Sequence, residues 1–241
     1  MQTLEKTPDF SRQIQSMFGA VAPRYDFINR LLSAGRDQYW RKVAVDLLSP
    51  NQGEQFLDIA TGTSDIALEI ASRHPSRIKV MGMDFSGPML NLGKGKIAAR
   101  GFTNSICLQK GCGEDLPFAD ASFHGAITAF GIRNFSDPER SLGEMHRVLK
   151  KNGRMVILEF SHPTNAVLGS LYRFYFHRLL PQVGKTISRH NSAYQYLPQS
   201  VSHFPMRGEF ACLMEKAGFR GVSYRDLTFG IVTLYRGEKN A

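Results

Sequence analysis

Gln55-Phe56-Leu57-Asp58-Ile59-Ala60-Thr61-Gly62-Thr63-Ser64-Asp65 decides how the rest of this 241-residue chain is read. Residues 55–60 are a short, mostly apolar run of strand length. Thr61-Gly62-Thr63 then turns the chain, and residues 64–73 carry apolar side chains at helical spacing. A strand feeding a helix through a tight turn is the opening unit of a parallel sheet. The pattern repeats downstream. Residues 78–84 form a second strand, and Ser86 has the residue type of an N-cap for the helix after it. Residues 105–109 and 123–129 supply two more strands. Asp137 before Pro138 reads as an N-cap with proline in the first turn. Leu142, Met145 and Leu149 give that helix an inward face, Asn152-Gly153 is its expected end, and 154–160 is a fifth strand. Strands alternating with helices predict an α/β fold with helices on both faces of a mostly parallel sheet.

The flanks differ. Residues 1–49 read as helical: Phe10, Ile14, Met17, Phe18 and Val21 share one face, and Trp40, Val43, Ala44 and Leu47 share another, with Pro23 breaking the run between them. Residues 161–220 insert helices, including an apolar stripe of Leu168, Leu171, Tyr172, Tyr175, Phe176 and Leu179. A helix is expected near 207–217. Two strand-like runs, within 221–238, would form a terminal hairpin and add an antiparallel strand. The division expected is thus one domain: a helical N-terminal lid (1–49), a cofactor-binding core (53–160), a helical cap segment (161–220) and the hairpin (221–238).

Composition excludes several classes. With 42% hydrophobic residues the chain can bury a core without metal or disulfide staples. The three cysteines, Cys107, Cys112 and Cys212, cannot all pair among themselves and read as reduced thiols. The N-terminal stretch is polar and unlike a signal peptide, and no segment reaches the ~18 apolar residues of a membrane span. Thirty basic against 21 acidic residues give +9, which suits an anionic ligand, an anionic membrane surface or nucleic acid. The basic residues are scattered, with small clusters such as Lys94-Gly95-Lys96. No His/Cys cluster has metal-ligand spacing.

In an open α/β sheet, ligands bind at the carboxyl ends of the strands. Three stretches should meet there: residues 58–65, Asp84, and residues 111–118. Gly62 lets backbone approach a ligand, and Asp84 can accept hydrogen bonds from both hydroxyls of a ribose, at about 1.5–3 kcal/mol each. A nicotinamide dinucleotide site would need three glycines around its pyrophosphate, and only Gly62 stands here. A ribosyl cofactor without phosphates fits better. Alone, Gly62 could merely close a turn and Asp84 merely cap a helix; at successive strand ends they read together as a ligand site.

These residues resemble the glycine-rich first motif of class I methyltransferases that use S-adenosylmethionine. Further stretches are similar to the C-methyltransferases of menaquinone and ubiquinone biosynthesis: Tyr25-Asp26-Phe27-Ile28-Asn29, Ser33-Ala34-Gly35 with Trp40, Phe130-Gly131-Ile132-Arg133-Asn134, Arg147-Val148-Leu149-Lys150 leading to Leu158-Glu159-Phe160-Ser161, and Asp226-Leu227-Thr228-Phe229-Gly230-Ile231-Val232. The resemblance runs from about residue 10 to 238. It implies a Rossmann-like, mostly parallel seven-stranded sheet with an N-terminal helical lid and helices inserted after strand five. It also implies contacts to S-adenosylmethionine, or its product S-adenosylhomocysteine, at Asp58, Ala60, Gly62, Thr63, Asp84, Phe85, Cys112, Gly113, Glu114 and Ala129. Cys112-Gly113 stand where the family usually has Asn-Ala, and Ala129 where Ser is common. Thr61-Gly62-Thr63-Ser64-Asp65 replaces Gly-Gly-Thr-Gly-Asp, which should stiffen the turn. Lys150-Lys151-Asn152-Gly153 replaces Lys-Pro-Gly-Gly.

The implied reaction is methylation of a ring carbon of a polyprenylated quinol, most readily demethylmenaquinol, with the ubiquinone-pathway benzoquinol beside it. Arg133, Asn134, Tyr25 and Asp26 are the candidate catalytic residues; Arg133 would stabilise a developing phenolate. His162, after strand five, is an alternative base, while His124, His146 and His177 read as packing or surface residues. The greasy tail calls for a membrane or lipid carrier, and the 166–180 helix suits a prenyl groove or membrane-surface contact. A cytoplasmic protein, peripheral to the inner face of the membrane, is expected, without nucleic acid as partner; a homodimer is compatible with the sequence. Two alternatives stay open: methylation of another lipid or aromatic, and a non-catalytic cofactor-binding scaffold in a quinone-synthesis complex.

Overall fold

The structure is a computed structural model, and it describes residues 8–165, 169, 170, 172 and 191–240. In chain order, helices α1 (Pro8–Val21), α2 (Tyr25–Leu32) and α3 (Arg36–Leu48) precede β1 (Gln55–Ile59), α4 (Asp65–Arg73) and β2 (Lys79–Asp84). Then come α5 (Gly87–Ala99), β3 (Ile106–Lys110), β4 (Phe123–Ala129), α6 (Pro138–Val148) and β5 (Leu149–Phe160). After the inserted segment follow α7 (Asn191–His203), α8 (Gly208–Lys216), β6 (Arg220–Leu227) and β7 (Val232–Glu238). Among the described residues no helix is long and apolar enough to cross a membrane.

The seven strands form one sheet in the order β3-β2-β1-β4-β5-β7-β6. The first five pair in parallel, and β7 runs antiparallel between β5 and β6. The parallel strands are buried on both sides, so neighbouring residues face opposite cores. Phe56, Val80, Ile127 and Val156 pack with α3, α4 and Ile97 of α5. Leu57, Ile59, Met83, Ala126 and Ile157 pack against Leu142 and Met145 of α6 and Phe210 and Met214 of α8. The expected helices on both faces are therefore present.

Local chemistry matches expectation at two places and differs at two others. Pro23 breaks the N-terminal helix as expected, into a turn of 3-10 helix at Ala22–Arg24. Asp137 caps α6, its side chain accepting from the Arg140 amide. Ser86 does not cap α5: it occupies the N-cap position, but its hydroxyl is buried without a partner. Its amide donates instead to Asp84 Oδ1 at 2.8 Å. Helix α6 does not run to Asn152-Gly153. It ends at Val148, and β5 begins at once, with Asn152 in a left-handed conformation (φ 61°) beside a register shift against β4. The Lys239 amide donates to Gly153 O at 2.9 Å and the Asn152 amide to Lys239 O at 2.7 Å, so pairing with the chain's last segment holds residues 152–153 in the sheet.

The segment expected as a lid divides. Trp40, Ala44, Val45 and Leu48 of α3 are buried in the main core, so α3 is a layer of the sheet domain. Helices α1 and α2 lie over the carboxyl ends of the strands, with Phe18 edge-on to both Phe85 and Tyr25. Most of the 166–180 stripe lies outside the described residues; Tyr172 is buried, with Ile28 and Val201.

Close packing of α3 on the sheet makes a test. A Cβ at Gly125 in β4 would lie 2.8 Å from the Phe56 ring and 3.0 Å from Leu48. Gly125→Ala is expected to destabilise the fold by about 1–3 kcal/mol through overpacking, read as a lowered urea midpoint with an unchanged m-value.

Candidate active site

Strand order reverses at β1, which lies between β2 and β4, so the crevice opens above their carboxyl ends. Its floor is the β1–α4 turn. Asp58, 1% exposed, points inside this turn: its Oδ2 accepts from Thr61 Oγ1 at 2.5 Å and from the Ala67 amide at 3.1 Å. Gly62 (φ 56°) and Ser64 (φ 69°) are both left-handed. The Gly62 amide donates to Asp84 Oδ2 at 2.8 Å, and a Cβ on Gly62 would meet nothing within 4 Å, projecting into the open crevice. Both Asp84 oxygens thus accept from backbone amides, which fixes the carboxylate at the edge of the crevice. Burial pushes its carboxyl above the usual range, against the pull of the Ser86 and Gly62 amides.

Three cavities adjoin along the crevice. The first is lined by Asp84, Phe85, Cys112, Gly113 and Glu114, with Ala60 and Asn134. The strand-three loop here must be small. A Cβ at Gly111 would lie 2.6 Å from Met83 Sδ, and one at Gly113 would lie 2.6 Å from the Phe135 ring. Alanine at 113 would therefore meet the Phe135 ring and require it to shift. Glu114 Oε1 accepts from the Ser136 amide and hydroxyl at 2.7 Å, tying this loop to the one after β4.

A second, central cavity shares Asp84, Phe85 and Asn134 with the first and adds Tyr25, Gly62, Ala129 and Phe130. The third shares Tyr25 and Phe130 and is walled by Met17, Trp40, Phe160, Leu197 and Ile231. Its volume is about 180 Å³, well above the ~10–15 Å³ that one water needs. It is largely apolar, with Arg133 as a charged group in its wall.

Arg133 is 8% exposed and Glu159 is fully buried. Arg133 Nη1 donates to Glu159 Oε1 at 2.7 Å and to Phe130 O at 2.5 Å, and Nε donates to Ser200 Oγ at 3.3 Å. The guanidinium also sits 5.4 Å from the Phe160 ring centre. Burial holds the Glu159 carboxyl above its ordinary range even though Arg133 pulls it down. Burial likewise raises the Tyr25 phenol, partly countered by Arg41 and Arg133, so the phenol stays protonated at neutral pH. Asn134 Oδ1 accepts from the Tyr196 hydroxyl at 3.0 Å.

Among the sequence-predicted residues, Ala60, Gly62, Asp84, Phe85, Cys112, Gly113, Glu114, Ala129, Asn134, Tyr25 and Arg133 come together along these cavities. Asp58 lines none of the three; it supports the turn from within. Nor do Asp26 and Thr63, which bond to each other at 2.6 Å. His162 packs edge-on against Tyr172, while His124 accepts from the Gln55 amide at the opposite end of the sheet and His146 packs on Phe219. Sequence reading missed Glu159, Tyr196 and Ser200. An acid inside the apolar strand β5 was the available signal for Glu159; Tyr196 and Ser200 approach only through the fold.

Asp58 makes the site's stability pH-dependent. Burial raises its carboxyl from 3.8 to about 7, so the fold favours the protonated form. Its stabilising contribution is complete below the ordinary aspartate range and is lost as pH rises through about 7. The melting temperature of the unaltered chain should fall between pH 5 and pH 8 more steeply than that of Asp58→Asn.

A sequence profile described as the ubiE/COQ5 methyltransferase family matches residues 6–239. The chain is 49% identical over 234 residues to the ubiquinone/menaquinone biosynthesis C-methyltransferase UbiE of Geotalea daltonii, covering 97% of this chain and 99% of that one. It is 44% identical to the demethylmenaquinone methyltransferase of Thermus thermophilus, covering 92% of this chain and all of the relative. Among solved structures, a SAM-dependent methyltransferase of Thermotoga maritima superposes with a TM-score of 0.62 at 22% identity, covering 93% of this chain and 100% of that one. One from Aquifex aeolicus gives 0.63 at 17%, covering 88% and 97%. These structures share the fold, and the sequence matches span almost the whole chain: it belongs to the ubiE/COQ5 methyltransferase family.

Proposed function

We propose that the chain transfers a methyl group from S-adenosylmethionine to a ring carbon of a polyprenylated quinol, with demethylmenaquinol as the preferred acceptor. The observation that carries this reading is the pairing of two dissimilar cavities through a shared centre. A polar one is built on Asp84 and the glycine loop, and an apolar one carries a buried guanidinium. Relatives named for this chemistry along nearly their full length support it.

The crevice suits the donor. Gly62 leaves room at the turn, Asp84 offers its carboxylate to ribose hydroxyls, and Gly111 and Gly113 let the strand-three loop pack closely beside the adenine. S-adenosylmethionine, when bound, supplies an electrophilic sulfonium methyl. The chain's own task is to align the acceptor carbon with that methyl, which can supply about 7–11 kcal/mol of the barrier. Trp40, Phe130 and Phe160 exclude water from the acceptor cavity. Arg133 and the protonated Tyr25 place N–H and O–H donors where an acceptor's phenolic oxygen gains charge. Glu159 holds Arg133 in place and leaves it the only one of the two charges directed at the cavity. The polyprenyl tail and the charge of +9 support peripheral contact with an anionic membrane.

Labelled S-adenosylmethionine offered with demethylmenaquinol, and in parallel with the demethylated ubiquinol precursor, tests the reading under reducing conditions. Label in menaquinol is expected; cofactor binding with label in neither acceptor would overturn it. Arg133→Lys keeps the charge beside Glu159 but loses the guanidinium fork. Its turnover is expected to fall about 10²-fold, with S-adenosylhomocysteine binding unchanged by calorimetry. Arg133→Ala should add a stability loss of about 3–5 kcal/mol, because Glu159 is left buried without its partner.

A further inference from the structure

The turn that carries Gly62 has a second neighbour besides Asp84. Thr63 is 4% exposed, and its hydroxyl donates to Asp26 Oδ1 of α2 at 2.6 Å. Lys96, on α5, donates to Asp26 Oδ2 at 2.8 Å and to Thr63 Oγ1 at 3.1 Å, and it also bonds Asp65 at the start of α4. All three ammonium protons of Lys96 are therefore used on one cluster. Asp26 accepts on both oxygens. Arg41 of α3 lies 3.7 Å from Asp65 and pairs with Asp37, extending the cluster toward the acceptor cavity.

The cluster joins two parts of the site. On one side, the residue before Thr63 is Gly62, whose amide orients Asp84 in the donor cavity. On the other, the residue before Asp26 is Tyr25, which lines the central and acceptor cavities, and the next turn of α2 adds Ile28 and Asn29 to the acceptor wall. Lys96 is the cation that Asp26 and Asp65 share, and while Arg41 also lies near Asp65, the attraction that draws the Asp26 carboxylate of α2 to the turn comes from Lys96.

We infer that Lys96 is a positioning residue that pins the Asp26 carboxylate to the Thr63 hydroxyl, so that the donor turn and the acceptor wall of α2 are set together by one charged node. This rests on the methyltransferase reading for the identity of the donor. The node's consequence is coupling: a ligand that orders the turn also orders α2, and the reverse follows by linkage. Loss of the node should weaken donor binding by about fivefold or more, the lower end of ordinary coupling factors.

The test uses the full chain and S-adenosylhomocysteine. Calorimetry of Lys96→Met, Asp26→Asn and the double variant should show each single change weakening binding about fivefold or more. The double variant should bind no worse than the weaker single, and Lys96→Arg should restore affinity. In ligand-free protein, hydrogen exchange of the α2 amides should quicken in Lys96→Met while the β1 and β4 amides keep their protection. Unchanged affinity in the single variants, multiplying losses in the double, or unchanged α2 exchange would each overturn the node. Absence of S-adenosylhomocysteine binding by the unaltered protein would instead defeat the donor assignment; the ligand-free exchange comparison judges the node either way.

Discussion

Everything at the crevice depends on one constraint: the β1–α4 turn is held from both sides by buried carboxylates. Asp58 grips it from below through Thr61 and Ala67, and Asp84 grips it from β2 through the Gly62 amide. Desolvating two carboxylates so close together is costly, and the cost is offset by hydrogen bonds from backbone and hydroxyl donors rather than by salt bridges. That choice leaves the turn in left-handed geometry at Gly62 and Ser64. A turn bent in this way presents its backbone, not its side chains, to the crevice.

The acceptor side solves a different problem. On the proposed reading, an apolar cavity that stabilises developing negative charge needs a cation that neither leaves nor floods it with water. Arg133 meets the need by sharing its Nη1 between Glu159 and the Phe130 carbonyl and lying against the Phe160 ring. The pair is buried, so its value lies in geometry more than in net stability. Aromatic walls from β4, β5 and α3 complete a cavity whose chemistry is opposite to that of its neighbour.

The sheet and its order of elements were legible because the parallel strands are short apolar runs separated by helices with an inward apolar face. Gly62 and Asp84 were legible for the same reason: strand ends in such a sheet converge on one crevice. The departures have local causes. Asn152-Gly153 looked like a helix stop, yet pairing with the chain's last segment drew those residues into β5. Ser86 looked like a cap, yet Asp84 took its amide. Asp26 read as a candidate catalytic residue beside Tyr25, but adjacent helical residues point in different directions, and its partners come from 37 and 70 residues away. Glu159, Tyr196 and Lys96 act through distant contacts that no periodicity encodes.

The placement of β7 has a bearing on how the chain is made. Residues 232–238 fill the space between β5 and β6, so the open edge of β5 finds its partner only in β7, after α7, α8 and β6 have been made. Until that stretch leaves the ribosome, β5 presents Met155, Val156, Ile157 and Leu158 on an unpaired edge, all of them fully buried in the finished protein. The nascent chain is thus exposed to mispairing from the emergence of β5 until β7 follows it. A chain broken off before β7 would carry the strand ends of the crevice together with an unpaired, adhesive edge on β5.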